Sequence, residues 1–223
     1  LVNKIYKDND VVICDSWKSI KAVPAKVKKI FVLAHGQEIL STKKKFGQIK
    51  KSLDRASCII CSSRYTKNLI KEFKVTNTPK IVIPPTYSVE VPSKKNPKFR
   101  TKSELVSLLT ICRLEERKGI IPVLKCLSEL NSNKFLKPFL WNICGEGPLK
   151  NKIENLIKEL GLSEQVKLIG KISGDSKVDF IKKSDLFIMP SYKVKNSIEG
   201  FGISYIEAAA YGIPSIAGIE GGV

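Results

Sequence analysis

Nowhere in this 223-residue chain does an apolar run approach the roughly 20 residues that a bilayer-spanning helix needs. The longest runs are strand-sized. Histidine is close to missing as well, since His35 is the only one. There is no GxSxG and no Cys–His pair, so no nucleophile has a neighbouring base, and hydrolysis by that route has no residues to carry it. The first half is poor in aromatics, with Tyr6, Trp17 and Phe31 mostly isolated. Single-stranded nucleic acid is held by aromatics interleaved with positive charge, so nucleic acid is not an expected partner. The chain starts at Leu1 without a methionine and is expected to be an internal fragment, truncated at both ends.

What is present is a hydrophobic fraction of 43%, ample for packed cores, and a net charge of +18 that is unevenly placed. Residues 1–104 hold 23 Lys and Arg against 8 Asp and Glu, whereas residues 105–223 hold 16 against 13. A basic half beside a near-neutral half points to one part that meets an anionic surface and another that does not. The alternative is a lysine-rich proteome that spreads lysine everywhere, which fits that step poorly. Six cysteines raise the question of zinc or a redox pair, above all Cys58-x-x-Cys61. That pair lies in ASCIICSS, a strand pattern, and residues three apart on a strand point to opposite faces. With Cys14, Cys112 and Cys144 at the ends of apolar runs, the cysteines read as small core residues in a reducing compartment. Asp8 and Asp10 resemble a metal-binding pair but precede the Val11 strand, on the sheet edge away from a ligand cleft.

Short apolar runs alternate with amphipathic stretches. Strands are expected at Val11–Cys14, Ile30–Ala34, Cys58–Cys61 and Lys80–Ile83, then at Leu105–Cys112, Phe139–Cys144, Val166–Gly170, Leu186–Pro190 and Ile213–Ala217. Helical periodicity fills the gaps, as in Gly119–Leu130 and Leu149–Leu160. Continuously apolar strands argue for parallel sheets covered on both faces, hence an α/β class. The Val11 strand is expected to be a mid-sheet strand of a first domain whose opening strand and glycine-rich loop are missing. Residues 86–103, rich in proline and lysine and without either period, read as a linker between a first domain, 1–85, and a second, 104–223. Two α/β domains place a ligand cleft at the carboxyl ends of their strands.

The chemistry gathers at such ends. Glu199–Pro214, EGFGISYIEAAAYGIP, sets two carboxylates eight positions apart around a glycine-flanked turn that opens a helix. Free N–H groups and a positive helix end suit a phosphate. A carboxylate can accept from both hydroxyls of a vicinal diol. Phosphate and diols together point to a nucleotide-sugar. The plainer account is that Glu207 favours the helix dipole and Glu199 caps the helix. After the strand ending at Cys112, Arg113 and Lys118 form a short basic loop before Gly119, fit to hold a diphosphate. Cations there would favour charge that grows as a diphosphate leaves; a solvated loop is the alternative. Gly145-Glu146-Gly147-Pro148 makes a tight strand-to-helix turn, and Gly170-Lys171-Ile172 could meet a nucleobase edge through its backbone. His35 ends a first-domain strand, where it is either structural or directed at the cleft.

In order along the chain, HGQEI, ICRLEERKG, ICGEGP, VKLIGKIS, SDLFIMPS and EGFGISYIEAAAYGIPSIAG resemble family 4 of the retaining glycosyltransferases, group 1, with two Rossmann-like domains in the GT-B fold. Cys112 replaces a usual glycine, and PPTY stands where PNGV is frequent. The resemblance implies that Arg113 and Lys118 hold the donor diphosphate and that Ile172 lies near the base. It further implies that Gly145, Gly202 and Ile203 line the donor site, Glu207 binds the ribose and Glu199 the donor sugar. His35 would approach the sugar or phosphate, so Glu199, His35, Arg113 and Lys118 are the expected catalytic set. Retention of configuration by a front-face reaction, with neither metal nor cofactor, goes with the family. The donor would be GDP-mannose or a UDP-sugar and the acceptor a lipid or polysaccharide of the cell envelope. SYKVKNS before Glu199 is similar to mannosyltransferases acting on phosphatidylinositol lipids. A cytoplasmic protein held peripherally at an anionic leaflet by Lys43–Lys45, Lys50 and Lys51 fits the basic first half. The competing expectations are another GT-B enzyme, a sugar phosphorylase or a nucleotide-sugar 2-epimerase, and a non-catalytic basic module for membrane or nucleic acid.

Overall fold

A computed structural model gives the fold and describes residues 7, 10–40, 45–75, 77–86, 104–135 and 137–222. The expected linker beyond Thr86, Asp8, Lys43 and Lys44 lie outside the described residues. The chain divides into two compact units. One is Leu1–Thr86 with Lys193–Phe201 and Glu220–Val223; the other is Tyr87–Tyr192 with Gly202–Ile219.

The first unit holds β1 (Val11–Cys14), β2 (Lys29–Ala34), β3 (Cys58–Cys61) and β4 (Lys80–Val82), all parallel in the order β1-β2-β3-β4. On β2, Ile30, Val32 and Ala34 are buried in strict alternation, the period of a strand with one face in the core. Two helices are described here, α1 (Phe46–Leu53) and α2 (Arg64–Lys71). The start of α2 is fixed by Ser63, whose hydroxyl accepts the Thr66 N–H at 3.1 Å. Arg55 ties the turn after β1 to the core by donating to the carbonyls of Ile20 and Val23 at 3.1 and 2.9 Å. β1 stands at the edge of this sheet among the described residues. Its Val11 and Ile13 are exposed while Val12 and Cys14 are buried, because successive side chains point to opposite faces and only one of these faces the core.

The second unit holds β5 (Val106–Ile111), β6 (Phe139–Cys144), β7 (Val166–Gly170), β8 (Leu186–Met189) and β9 (Ser215–Ala217), parallel in the order β7-β6-β5-β8-β9. Its helices are α3 (Ile120–Ser132), α4 (Lys150–Glu159), α5 (Gly174–Lys182) and α6 (Ile203–Ala210). Neighbouring residues of one strand feed opposite cores. Leu108, Ile143 and Ile188 pack with α3 and α4, whereas Leu109, Cys144, Phe187 and Met189 pack with Ile181 of α5 and Ala208 of α6. Covering on both faces explains why these strands are apolar without alternation. Trp141, fully buried, satisfies its indole N–H on Thr110 Oγ1 at 3.0 Å, and Thr110 in turn donates to the Ile188 carbonyl.

Both units are parallel, Rossmann-like α/β domains, in agreement with the expected GT-B class. Cys14, Cys58, Cys61 and Cys144 are buried free thiols, Cys112 is half-buried, and Cys126 on α3 is exposed. Burial pushes the Cys61 thiol up to about 11 and that of Cys144 to about 12. No helix among the described residues is long and apolar enough to cross a membrane.

Candidate functional site

The carboxyl ends of β5, β6 and β7 and the first turn of α6 surround a cavity of about 550 Å³ in the second unit. Ile111, Cys112 and Arg113 come from the first of these ends, Cys144 to Gly147 from the second, Lys171 and Ile172 from the third, and Ser204 from the helix. In a parallel sheet this edge is where loops are free to carry ligand-binding groups. Three expected donor-site residues, Arg113, Gly145 and Ile172, therefore meet in one place.

Each wall is held by the backbone. Gly145 (φ 139°) sits so close to the β5 loop that a Cβ there would lie 1.8 Å from the Cys112 carbonyl oxygen. The glycine thus answers first to the neighbouring loop, the plainer account of a tight turn, and only through it to the cavity. Ser204 donates to the Ile111 carbonyl at 2.9 Å, pinning α6 to the end of β5. Tyr205 anchors the same turn, its hydroxyl bonded to Ser191 Oγ at 2.8 Å and to the Met189 carbonyl and its ring edge-on to Phe187.

The charges are few and arranged. The Arg113 side chain is 70% exposed, with Nε 3.1 Å from Glu115 Oε1, while Glu115 Oε2 lies 3.1 Å from Arg117 Nε. Glu115 bridges the two guanidiniums, so the loop that looked like scattered charge is a linked set. Lys171 adds a second cation to the lining, and Glu146, its one carboxylate, pairs with Lys150 at 3.2 Å. Lys118 is buried at the end of a short 3-10 turn and is not part of the lining.

The Glu199–Glu207 stretch is split between the units. Gly202 is the N-cap of α6 in the left-handed conformation (φ 82°) and makes no side-chain cap bond of its own. Ile203 is exposed in the first turn. Glu207, one turn after Ser204, is buried and paired with Lys177 of α5. Glu199 belongs to the first unit, where its carbonyl accepts the Gly222 N–H at 2.9 Å. Beside it, a Cβ on Gly200 would lie 1.7 Å from the His35 carbonyl oxygen. His35 itself is exposed at the end of β2, its N–H donating to Glu38 Oε1 at 2.6 Å. The structure thus brings His35 and the Glu199–Gly200 turn together in one unit, and Arg113, Gly145 and Ile172 together in the other.

Sequence reasoning missed the bridging by Glu115 and the Lys177–Glu207 pair. The signal for the second was present, since Lys177 lies near the start of a helix, where the dipole disfavours a cation. Among the described residues no three His, Cys, Asp or Glu side chains gather where a metal could sit.

A 2-deoxystreptamine N-acetyl-D-glucosaminyltransferase of Niallia circulans is 32% identical over 126 residues, 55% of this chain and 31% of its own length. An alpha-monoglucosyldiacylglycerol synthase of Streptococcus pneumoniae is 25% identical over 171 residues, 71% of this chain and 36% of its own. The Anabaena protein HepE, solved in complex with UDP, superposes with a TM-score of 0.76 at 18% identity, covering 96% of this chain and 60% of that one. This last likeness is one of fold. The chain thus spans about a third of the length of these two relatives and 60% of the solved structure. Residues 93–223, more than half of it, match the sequence profile of the glycosyl transferases group 1, and the chain belongs to that family.

Proposed function

We propose that the protein transfers a hexose from a nucleotide-diphosphate sugar, GDP-mannose or a UDP-sugar, to a lipid-linked or polysaccharide acceptor, with retention of configuration. The observation that carries this reading is the cavity where Arg113 and Lys171 face the ends of three parallel strands and the opening turn of α6. In it the diphosphate is held by the planar fork of Arg113 and by the first N–H groups of α6 at Gly202 and Ile203, which have no partner within the helix. Lys118, buried and outside the lining, adds its positive charge only at longer range. The base lies against Gly145 and the backbone of Ile172, and the ribose hydroxyls donate to Glu207. As the bond to the sugar breaks, negative charge grows on the leaving diphosphate, and cations fixed in advance favour that state over the ground state. Glu199 and His35 address the sugar. The donor side lies within residues 104–223 and the acceptor side is 1–85 with the returning segments Lys193–Phe201 and Glu220–Val223, the two sides being joined by 86–103. No metal or cofactor has a part in this scheme.

For the acceptor, the relative that makes a glucosyldiacylglycerol supports a lipid, and the basic first half supports an anionic leaflet. Lys45 and Lys51 are exposed there, while Lys50 is paired with Asp54 at 2.6 Å and is partly neutralised. Vesicle sedimentation tests this part: equal binding to neutral and anionic vesicles counts against a membrane role. Calorimetric titration with UDP, GDP, UDP-glucose and GDP-mannose tests the donor reading. One nucleotide series is expected to bind, with affinity lost in R113A and E207A. Unchanged affinity in both variants would count against a transferase site here.

A further inference from the structure

Lys177 occupies the fourth position of α5, where the positive end of the helix disfavours a cation, and Asp175 holds the favourable charge of that turn. The lysine is nevertheless under cover. Its side chain is 23% exposed, and its Nζ donates to Oε1 of Glu207, whose side chain is 6% exposed. A carboxylate so deep needs a cation or several donors. Neither partner is in the lining of the cavity, but each follows a residue that is: Ile172 lies five residues before Lys177, and Ser204 lies one turn before Glu207 on the same face of α6.

We infer that Lys177 is a positioning residue of the nucleotide site: by taking Oε1 of Glu207 it orients that carboxylate toward the vicinal hydroxyls of a ribose. The inference rests on the nucleotide-sugar reading of the cavity. A carboxylate offers about four lone-pair sites, and one lysine bond leaves room for two hydroxyl donors. The ammonium also offsets the carboxylate, so Glu207 does not cancel the net positive charge that Arg113, Lys171 and Glu146 leave on the lining for an anionic diphosphate. A pair that only stabilised the fold would have no influence that depends on the ribose hydroxyls.

The test is calorimetric titration of UDP, GDP and their 2′,3′-dideoxy forms into the wild type and into K177M, K177Q and K177R, with thermal melts to confirm folding. The wild type is expected to lose about tenfold or more in affinity when the hydroxyls are removed, the range of hydrogen bonds to a charged group. In K177M and K177Q that factor shrinks below about threefold, and K177R restores most of it. An undiminished hydroxyl dependence in either folded neutral variant overturns the positioning role and leaves the nucleotide reading standing. If neither neutral variant folds while K177R does, the pair serves stability and the inference falls. If the wild type binds neither UDP nor GDP, the nucleotide reading falls and takes this one with it.

Discussion

In the first unit Lys45 and Lys51 stand exposed and Lys50 is neutralised one turn away by Asp54. In the second, Arg113 and Lys171 face one cavity, and Lys177 and Glu207 pair under cover one turn or so from its wall. The half with most of the positive charge spends it on the exterior, where salt and water screen it. The near-neutral half gathers its cations by shape: Arg113 and Lys171 are exposed too but line one concavity, and Lys177 is largely covered. A count of lysines therefore tells where a chain is basic, but not where an anion is held.

Removing one charge from each half should separate the two arrangements most widely. R113A is expected to lower nucleotide affinity by about 10- to 100-fold, the loss of a charge-assisted bond, while K45E/K51E leaves it unchanged. Titration calorimetry reads both, and equal losses would erase the distinction. A steric test comes next. Gly200→Val forces a Cβ to within 1.7 Å of the His35 carbonyl oxygen and is expected to destabilise the protein by about 1–3 kcal/mol in urea melts. Gly47, with nothing within 4 Å of its would-be Cβ, should accept alanine without loss.

A third test uses pH. The Cys144 thiol is pushed up from 9.0 to about 12 by burial, so above pH 9 the unfolded chain gives up this proton while the folded one keeps it. Stability then falls as pH rises, by about 1 kcal/mol at pH 10 from this group, and C144A should remove that part of the slope. Cys61, at about 11, gives the first unit a similar slope that levels off sooner. The smallest effect is at the membrane, where each exposed lysine near an anionic leaflet contributes about 1 kcal/mol. K45E/K51E is expected to weaken vesicle binding several-fold for each position, read by sedimentation.

The strands were legible because a buried parallel strand is an unbroken apolar run, and VVIC, CIIC and FLWNIC are the strands β1, β3 and β6 to the residue. The basic loop and the helix opening at Gly202 were legible because glycine and charge follow a strand end. What escaped was contact between distant parts of the chain. Nothing near Gly200 in sequence announces that its missing side chain makes way for the carbonyl of His35. Lys177 looked like one more solvated lysine on an amphipathic helix, because its partner lies thirty residues on, on another helix.

Because Lys193–Phe201 and Glu220–Val223 belong with the first unit, that unit is not finished when its own sheet has been made. During synthesis the end of β2 at His35 waits for Gly200, and at ordinary translation speeds the interval is roughly 8–30 s. The second unit's strands up to β8 emerge in that interval. A chain cut after Thr86 would thus retain four strands and still lack the turn that closes over His35. The order of manufacture makes the later half a supplier of parts to the earlier one, and pieces of this protein should be designed by spatial unit rather than by sequence interval.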